Sequence, residues 1–381
     1  MSDKDTILAI CYDFDKTLTP KDMQAQGFIQ SVGYDVEDFW RESNGLAEKN
    51  NMDQNLAYMY TMIDKAEGNF YLSKERLEEY GSRVELFPGV QGWFERINQY
   101  GKEKGIVVEH YIISSGIKEM IDGTEIAKKG MFKAIYANSF FFNERGVPRW
   151  PSLLVNYTNK TQYLFRIKKG VLDVSDQRVN DRFKEEDVRI PFRNIVYIGD
   201  SDTDIPCMTV VNEAGGYSIG VYDSEEDSKH KVYRMMREGR IKFFAPADYS
   251  EGKELDIIIK SIIDKTAAAE MLENKYISNK KEVSTFDQSN NEWIAANKRL
   301  DLILDLERSN SFRNTHLVIK EMLPISTWNE KEIEMICDIA LKNGQVKGVL
   351  LDTDVKSFYN RLLDVYSGEK EIVQKIREYI S

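Results

Sequence analysis

Three short, β-rich apolar runs stop abruptly at polar loops: residues 6–12 (TILAICY) ahead of Asp13, residues 107–113 (VVEHYII) ahead of Ser114, and residues 194–198 (NIVYI) ahead of Gly199-Asp200. A run that is apolar on both faces fits a strand inside a parallel sheet covered by helices on either side. Two further runs, residues 215–222 (GGYSIGVY) and 241–246 (IKFFAP), can extend the same sheet. Helical patterns lie between the runs, after Pro88 and again over 118–129. This alternation predicts an α/β fold, a doubly wound, Rossmann-like parallel sheet whose ligands sit at the carboxyl ends of the strands. The polar loops fall at those ends.

Two segments interrupt the alternation. Residues 20–87 read as several helices (QGFIQSV, VEDFWRE, NLAYMYTMIDKA, KERLEEYG) placed directly after the first strand, which suits an inserted helical cap. Residues 139–150 (SFFFNERGVPRW) read as a β-hairpin turning near Asn143 to Gly146. Beyond about Asp264 the composition changes, and the polar stretch from Glu273 to Asn291 reads as a linker. The expected domains are therefore an α/β core of 1–19 and 88–265, a helical cap of 20–87, a linker of 266–296 and an all-α appendage of 297–381.

A formal net charge of -11 has the wrong sign for bulk DNA or an anionic membrane, so neither is expected as a partner. Cys11, Cys207 and Cys337 are too few and too scattered for a disulfide framework or a thiolate metal site. The first residues lack the basic start of a signal peptide, and no run approaches the ~20 apolar residues that span a bilayer. A cytoplasmic location is the expectation.

The loop Asp13-Phe14-Asp15-Lys16-Thr17 sets two carboxylates one residue apart, which repel unless a cation compensates. Magnesium prefers such oxygen ligands; one carboxylate could then act as nucleophile and the other handle a leaving-group proton. Turn acids capping a helix are the competing reading. Gly199-Asp200-Ser201-Asp202-Thr203-Asp204 again gathers acids after a strand, as a shared metal site requires. Ser114-Ser115-Gly116 supplies hydroxyls and a glycine that lets backbone N–H groups approach a phosphate. Lys160, in the first turn of a helical pattern, could neutralise phosphate charge, although any surface lysine would look similar in the sequence.

DFDKTLT, IISS, Lys160 and GDSDTD, in this order and strand context, resemble the four motifs of the haloacid dehalogenase superfamily, over about Thr6 to Asp264. The resemblance implies that Asp13 is the nucleophile and Asp15 the general acid and base. It implies Mg2+ held by the Asp13 and Asp200 side chains and the Asp15 carbonyl, with Asp204 orienting the shell. Ser114 and Lys160, with backbone around Phe14 and Gly116, would bind the phosphoryl group; Ser115 stands where many relatives carry glycine, leaving open which serine makes the contact. The second aspartate favours phosphatases over dehalogenases. The helical insert and the hairpin are similar to the phosphoserine phosphatase-like branch. The expected function is a magnesium-dependent phosphomonoesterase acting through an aspartyl phosphate on a small phosphorylated metabolite. Alternatives are phosphotransfer to an acceptor hydroxyl, or a regulatory protein whose helical appendage, which resembles nothing recognised, binds a partner or self-associates.

Other residues read as structural. His110 suits a core histidine, Cys207 a buried helix thiol, and His230 and His316 polar surroundings in which the spacing suggests no role. Tyr58, Met59, Tyr60 and Met62 suit the cap core more than a pocket wall. Lys16 could point toward the mouth of the site.

Overall fold

The computed structural model describes residues 6–183, 187–225, 229–289 and 291–381. The chain divides into two compact units, Met1–Leu272 and Glu273–Ser381.

The first unit is built on a seven-stranded sheet. Its strands are β1 (Thr6–Tyr12), β2 (Ile106–Ile117), β3 (Phe132–Phe142), β4 (Pro148–Leu153), β5 (Ile195–Gly199), β6 (Tyr217–Tyr222) and β7 (Phe243–Pro246), in the order β4-β3-β2-β1-β5-β6-β7. All pairs are parallel except β3 with β4, which form the hairpin foreseen around Asn143 to Gly146. The chain winds outward from β1 through β2 and β3, then returns to the other side of β1 with β5. The switch point therefore lies between strands whose carboxyl ends deliver Asp13, Ser114 and Asp200, the place where open α/β sheets bind ligands.

Period-two alternation along β1 feeds two cores. Leu8, Ile10 and Tyr12 join a cluster with Trp93, Phe94, Ile259 and Ile263, from α5 (Val90–Glu103) and α11 (Glu254–Ser289). Ala9 and Cys11 face the opposite side, packing with Tyr163, Leu164, Cys207 and Met208 from α8 (Lys160–Lys169) and α9 (Ile205–Glu213). Each such large side chain contributes about 1.5–3 kcal/mol on burial. α10 (Lys229–Arg237) covers β6 and β7 with Val232 and Met235.

Residues 20–87 carry α1 (Phe28–Ser31), α2 (Val36–Asn50), α3 (Gln54–Ala66) and α4 (Lys74–Gly81), started by Asp35, Asp53 and Ser73 accepting from first-turn N–H groups. The helical pattern over 118–129 resolves into two short helices, α6 (Lys118–Asp122) and α7 (Glu125–Lys128), because Thr124 caps a new start. Gly123 sits at this break with its α-carbon against Glu78 of α4.

The second unit holds α12 (Asn291–Glu307), α13 (Phe312–Met322), α14 (Glu330–Lys342), α15 (Gly344–Gly348), α16 (Thr353–Val365) and α17 (Glu371–Ile380). They pack on a core of their own that includes Ile303, Ile319, Ile336, Phe358, Tyr359 and Ile376. The polar stretch read as a linker is helical: α11 runs to Ser289, and the division between the units falls at Leu272 and Glu273. Its Lys and Glu residues are good helix formers and it contains no Gly or Pro, so the helix holds with every residue from 271 to 286 exposed. His316, for which the spacing suggests no role, bridges Asp354 (Nδ1, 2.8 Å) and Asp352 (Nε2, 3.1 Å) at the start of α16. Among the described residues, no helix is long and apolar enough to cross a membrane.

Candidate active site

Where β1 ends, the Asp13 N–H donates to the Ile198 carbonyl of β5 at 2.9 Å, which sets the first acidic loop beside the second. The loop turns on the Leu18 N–H to Phe14 carbonyl bond (2.9 Å) and places Lys16 in the left-handed region, at φ 58°. Lys16 Nζ reaches Asp22 Oδ2 at 3.0 Å. The Asp15 carboxylate accepts from the Met23 N–H at 2.8 Å, which fixes it at the entrance of the cap.

Lys160 begins α8 and is completely buried, its Nζ 3.2 Å from Asp13 Oδ1 and 2.8 Å from Asp204 Oδ1. Burial alone would discharge it, but the two carboxylates outweigh that and hold its pKa above the usual lysine range. Asp204 also accepts from the Tyr197 hydroxyl (2.8 Å) and the Ser201 hydroxyl (3.1 Å). Both of its oxygens are thus committed to the protein, which suits an orienting role.

Burial, then repulsion from Asp204, pushes Asp13 up to about 6 against the opposing pull of Lys160. Asp15 is raised by burial, with Asp22 and Asp13 adding to it, and Asp200 by burial with Asp204 and Asp13. Carboxylates crowded in this way need positive charge. Asp13, Asp200 and Asp204 each offer an oxygen within 4.8 Å of the others. This donor set is all oxygen and suits a hard divalent cation.

Ser114 and Ser115 lie where the β2–β3 register shifts between Ile113 and Ile117. The Gly116 N–H donates to Ser114 Oγ (3.0 Å), and a Cβ on Gly116 would come within 2.3 Å of the Met23 methyl and 2.9 Å of Asp15 Oδ2, so a larger residue would have to displace these side chains. The Ser115 carbonyl accepts from the Tyr58 hydroxyl and from Asn138 Nδ2, both at 2.7 Å. Tyr58 therefore ties cap to core as well as filling the cap. Met59 and Met62 are buried in the cap as expected, whereas Tyr60 is exposed.

Above these groups opens a cavity of about 460 Å³. Asp13, Asp15, Ser114, Ser115, Gly116 and Asp200 line it, with Lys16 and Asp22 at the same wall; Lys160 and Asp204 stand behind it. Sequence reasoning missed Gln24, Trp40, Asn44, Gln54, Asn55 and Lys231, which also line the cavity. Trp40 and Asn44 share a face of α2 at i and i+4, but the others come from further elements that only the fold brings together. His110 is a core residue: its Nδ1 meets the Tyr12 hydroxyl and its Nε2 meets Asn98 Oδ1, both at 3.0 Å. Cys207 is buried.

The family model for haloacid dehalogenase-like hydrolases matches residues 10–209. A protein of Borreliella burgdorferi described as uncharacterized is 27% identical over 281 residues, which is 67% of this chain and 96% of that protein. Among solved structures, a HAD family hydrolase of Salmonella enterica serovar Typhi aligns with a TM-score of 0.45 and 18% identity, over 67% of this chain and 70% of that one. A probable phosphoserine phosphatase of Vibrio cholerae aligns with a TM-score of 0.45 and 12% identity, over 70% and 68% of the two chains. The matched span takes in both acidic loops, the serine loop and Lys160, and the chain belongs to the haloacid dehalogenase-like hydrolase family.

Proposed function

We propose that the protein is a magnesium-dependent phosphomonoesterase that works through an aspartyl phosphate on Asp13. The observation that carries this reading is the Asp13 carboxylate, held by the Lys160 ammonium at 3.2 Å and lining the same cavity as Asp15.

Magnesium would be held by the Asp13 and Asp200 carboxylates and the Asp15 carbonyl, and when bound supplies charge neutralisation for the phosphoryl oxygens. Asp13 attacks phosphorus, forming the Asp13–phosphorus bond as the bond to the leaving oxygen breaks. Asp15, whose raised pKa favours the protonated acid, gives its proton to the departing alkoxide. Asp15 then takes a proton from water as the water oxygen attacks phosphorus, which releases phosphate and restores the Asp13 carboxylate. Lys160 keeps Asp13 oriented and offsets its charge; the Ser114 hydroxyl, whose oxygen accepts from the Gly116 N–H, would donate to a phosphoryl oxygen.

The test is phosphate release from a broad panel of phosphorylated metabolites, with and without chelator, using wild type and Asp13→Asn. Release that needs magnesium and drops at least about a thousandfold in the variant supports the reading. Activity surviving in Asp13→Asn, with the same metal dependence, would refute it.

A second reading concerns self-association. On α11, Tyr276, Val283 and Phe286 stand 60%, 59% and 56% exposed at i, i+7 and i+10, one face of a helix. Lys275 and Glu282 flank that face with opposite charges. In an antiparallel pairing of two copies centred near Asn279, Lys275 of each would face Glu282 of the other.

A further inference from the structure

Apart from Asp22, which is paired with Lys16, the wall that the cap turns toward the cavity is uncharged: it consists of Gln24, of Trp40 and Asn44 from α2, and of Gln54, Asn55 and Tyr58 from α3. Two of these side chains carry buried polar atoms that make no hydrogen bond: the acceptor Gln24 Oε1, on a side chain 2% exposed, and the donor Trp40 Nε1. Buried polar groups are rarely left without partners, and when they line a ligand cavity the ligand is the natural partner. A hydroxyl can accept from an indole N–H or donate to an amide oxygen without carrying charge, so a group bearing several hydroxyls can serve both.

The charges at this cavity argue the same way. Lys16 is neutralised by Asp22 at 3.0 Å. Lys231, the remaining ammonium among the described lining residues, comes from α10 on the core side. A substrate carboxylate would find no cation on the cap wall, whereas amides and an indole suit a sugar-like surface, with amides bonding hydroxyls and the indole covering C–H faces.

We propose that the alcohol half of the substrate is an uncharged polyhydroxylated group, a sugar or polyol, recognised by Gln24 and Trp40 of the cap. This rests on the phosphomonoesterase reading. Gln24 and Trp40 act as specificity residues and take no part in the bond changes at phosphorus. The same hydroxyl chemistry could be presented by a free sugar or polyol phosphate or by the ribose of a nucleotide.

The experiment compares kcat/KM for sugar and polyol phosphates, nucleoside 5′-phosphates, phosphoserine and para-nitrophenyl phosphate, the last a hydroxyl-free reporter of the chemistry. Wild type is measured beside Gln24→Leu and Trp40→Phe, which keep bulk and remove the polar atom. The expected result is a preference for hydroxyl-bearing substrates over phosphoserine. In each variant the ratio of kcat/KM for the preferred substrate to that for para-nitrophenyl phosphate should fall about tenfold or more, chiefly through KM. Preference among sugar, polyol and nucleotide arms identifies the source of the hydroxyls. Preference for phosphoserine, turnover of the reporter alone, or variants that lower both substrates in proportion would overturn the proposal while leaving the mechanism standing. Absence of Asp13-dependent turnover on every substrate, reporter included, would instead remove the phosphomonoesterase reading and this inference with it. Circular dichroism and thermal melting of each variant show whether it is folded, and a variant that does not fold is replaced by Gln24→Met or Trp40→Tyr.

Discussion

Burying an ionisable group is tolerable when its partners favour the form that is buried, and two residues of the first unit do this in opposite ways. Lys160 stays charged because Asp13 and Asp204 lie within 3.2 Å and 2.8 Å. His110 has no such partner and stays neutral: burial drives it down to about 3 from an ordinary 6.5. It accepts at Nδ1 from the Tyr12 hydroxyl, which in turn accepts from Trp93 Nε1 at 2.8 Å, and its Nε2–H is left for Asn98. Between pH 6.5 and 3 the unfolded chain takes up a proton here that the native state refuses. The contribution of His110 is therefore complete above about pH 6.5 and is lost as pH falls, with a limiting slope of about 1.4 kcal/mol per pH unit. Urea unfolding at pH 7 and pH 5 should show a larger loss for wild type than for His110→Gln; parallel losses would contradict the assignment. The raised carboxylates of the acidic loops push the other way, but they are common to both proteins and cancel in the difference. That His110 is structural was legible from its place in an apolar run. The complete burial of Lys160 was not, because nothing in YTNKTQY distinguishes it from a surface lysine.

At the scale of elements, the sheet was legible because buried parallel strands are written as unbroken apolar runs, and the acidic loops because each follows such a run. The wall of the cavity was not. Gln24, Trp40, Asn44 and Gln54 are ordinary amides and an indole until the cap helices converge, and the i, i+4 spacing of Trp40 and Asn44 on α2 does not by itself mark a cavity face. The crossing of α4 with α6 was equally hidden. At Gly81 an added Cβ would overlap the backbone of Met120, and at Gly123 it would overlap the backbone of Glu78, so these two helices meet with backbone against backbone. Gly81→Ala should cost about 1–3 kcal/mol through overpacking. Gly45, in α2, has nothing within 4 Å of such a Cβ, and Gly45→Ala should stabilise by about 0.5–1 kcal/mol. Thermal unfolding of the two variants checks this directly: equal and small shifts would mean that the α4–α6 contact is looser than described. At α11 the polar stretch that reads as a linker is helical, because it holds no Gly or Pro to break the helix, and the boundary between the units falls within that helix.

For the whole molecule, the cavity is lined entirely by residues of the first unit, while the second unit has a separate core. The exposed stripe of Tyr276, Val283 and Phe286 gives the helix between Glu254 and Ser289 an apolar face that association would cover. Light scattering of the full chain should report a dimer, and Tyr276→Ser with Val283→Ser should shift it to monomer without loss of helix content; a monomeric wild type would exclude self-association through this face. The central claim concerns Asp13, and the most direct measurement is chemical trapping during turnover. Wild type mixed with magnesium and a hydrolysed substrate is quenched with borohydride, which reduces an aspartyl phosphate to homoserine, and the peptide containing Asp13 is read by mass spectrometry. Homoserine at position 13, dependent on both substrate and magnesium, is the predicted result. Continued release of phosphate with Asp13 unmodified, or with homoserine found at another aspartate, would contradict the account.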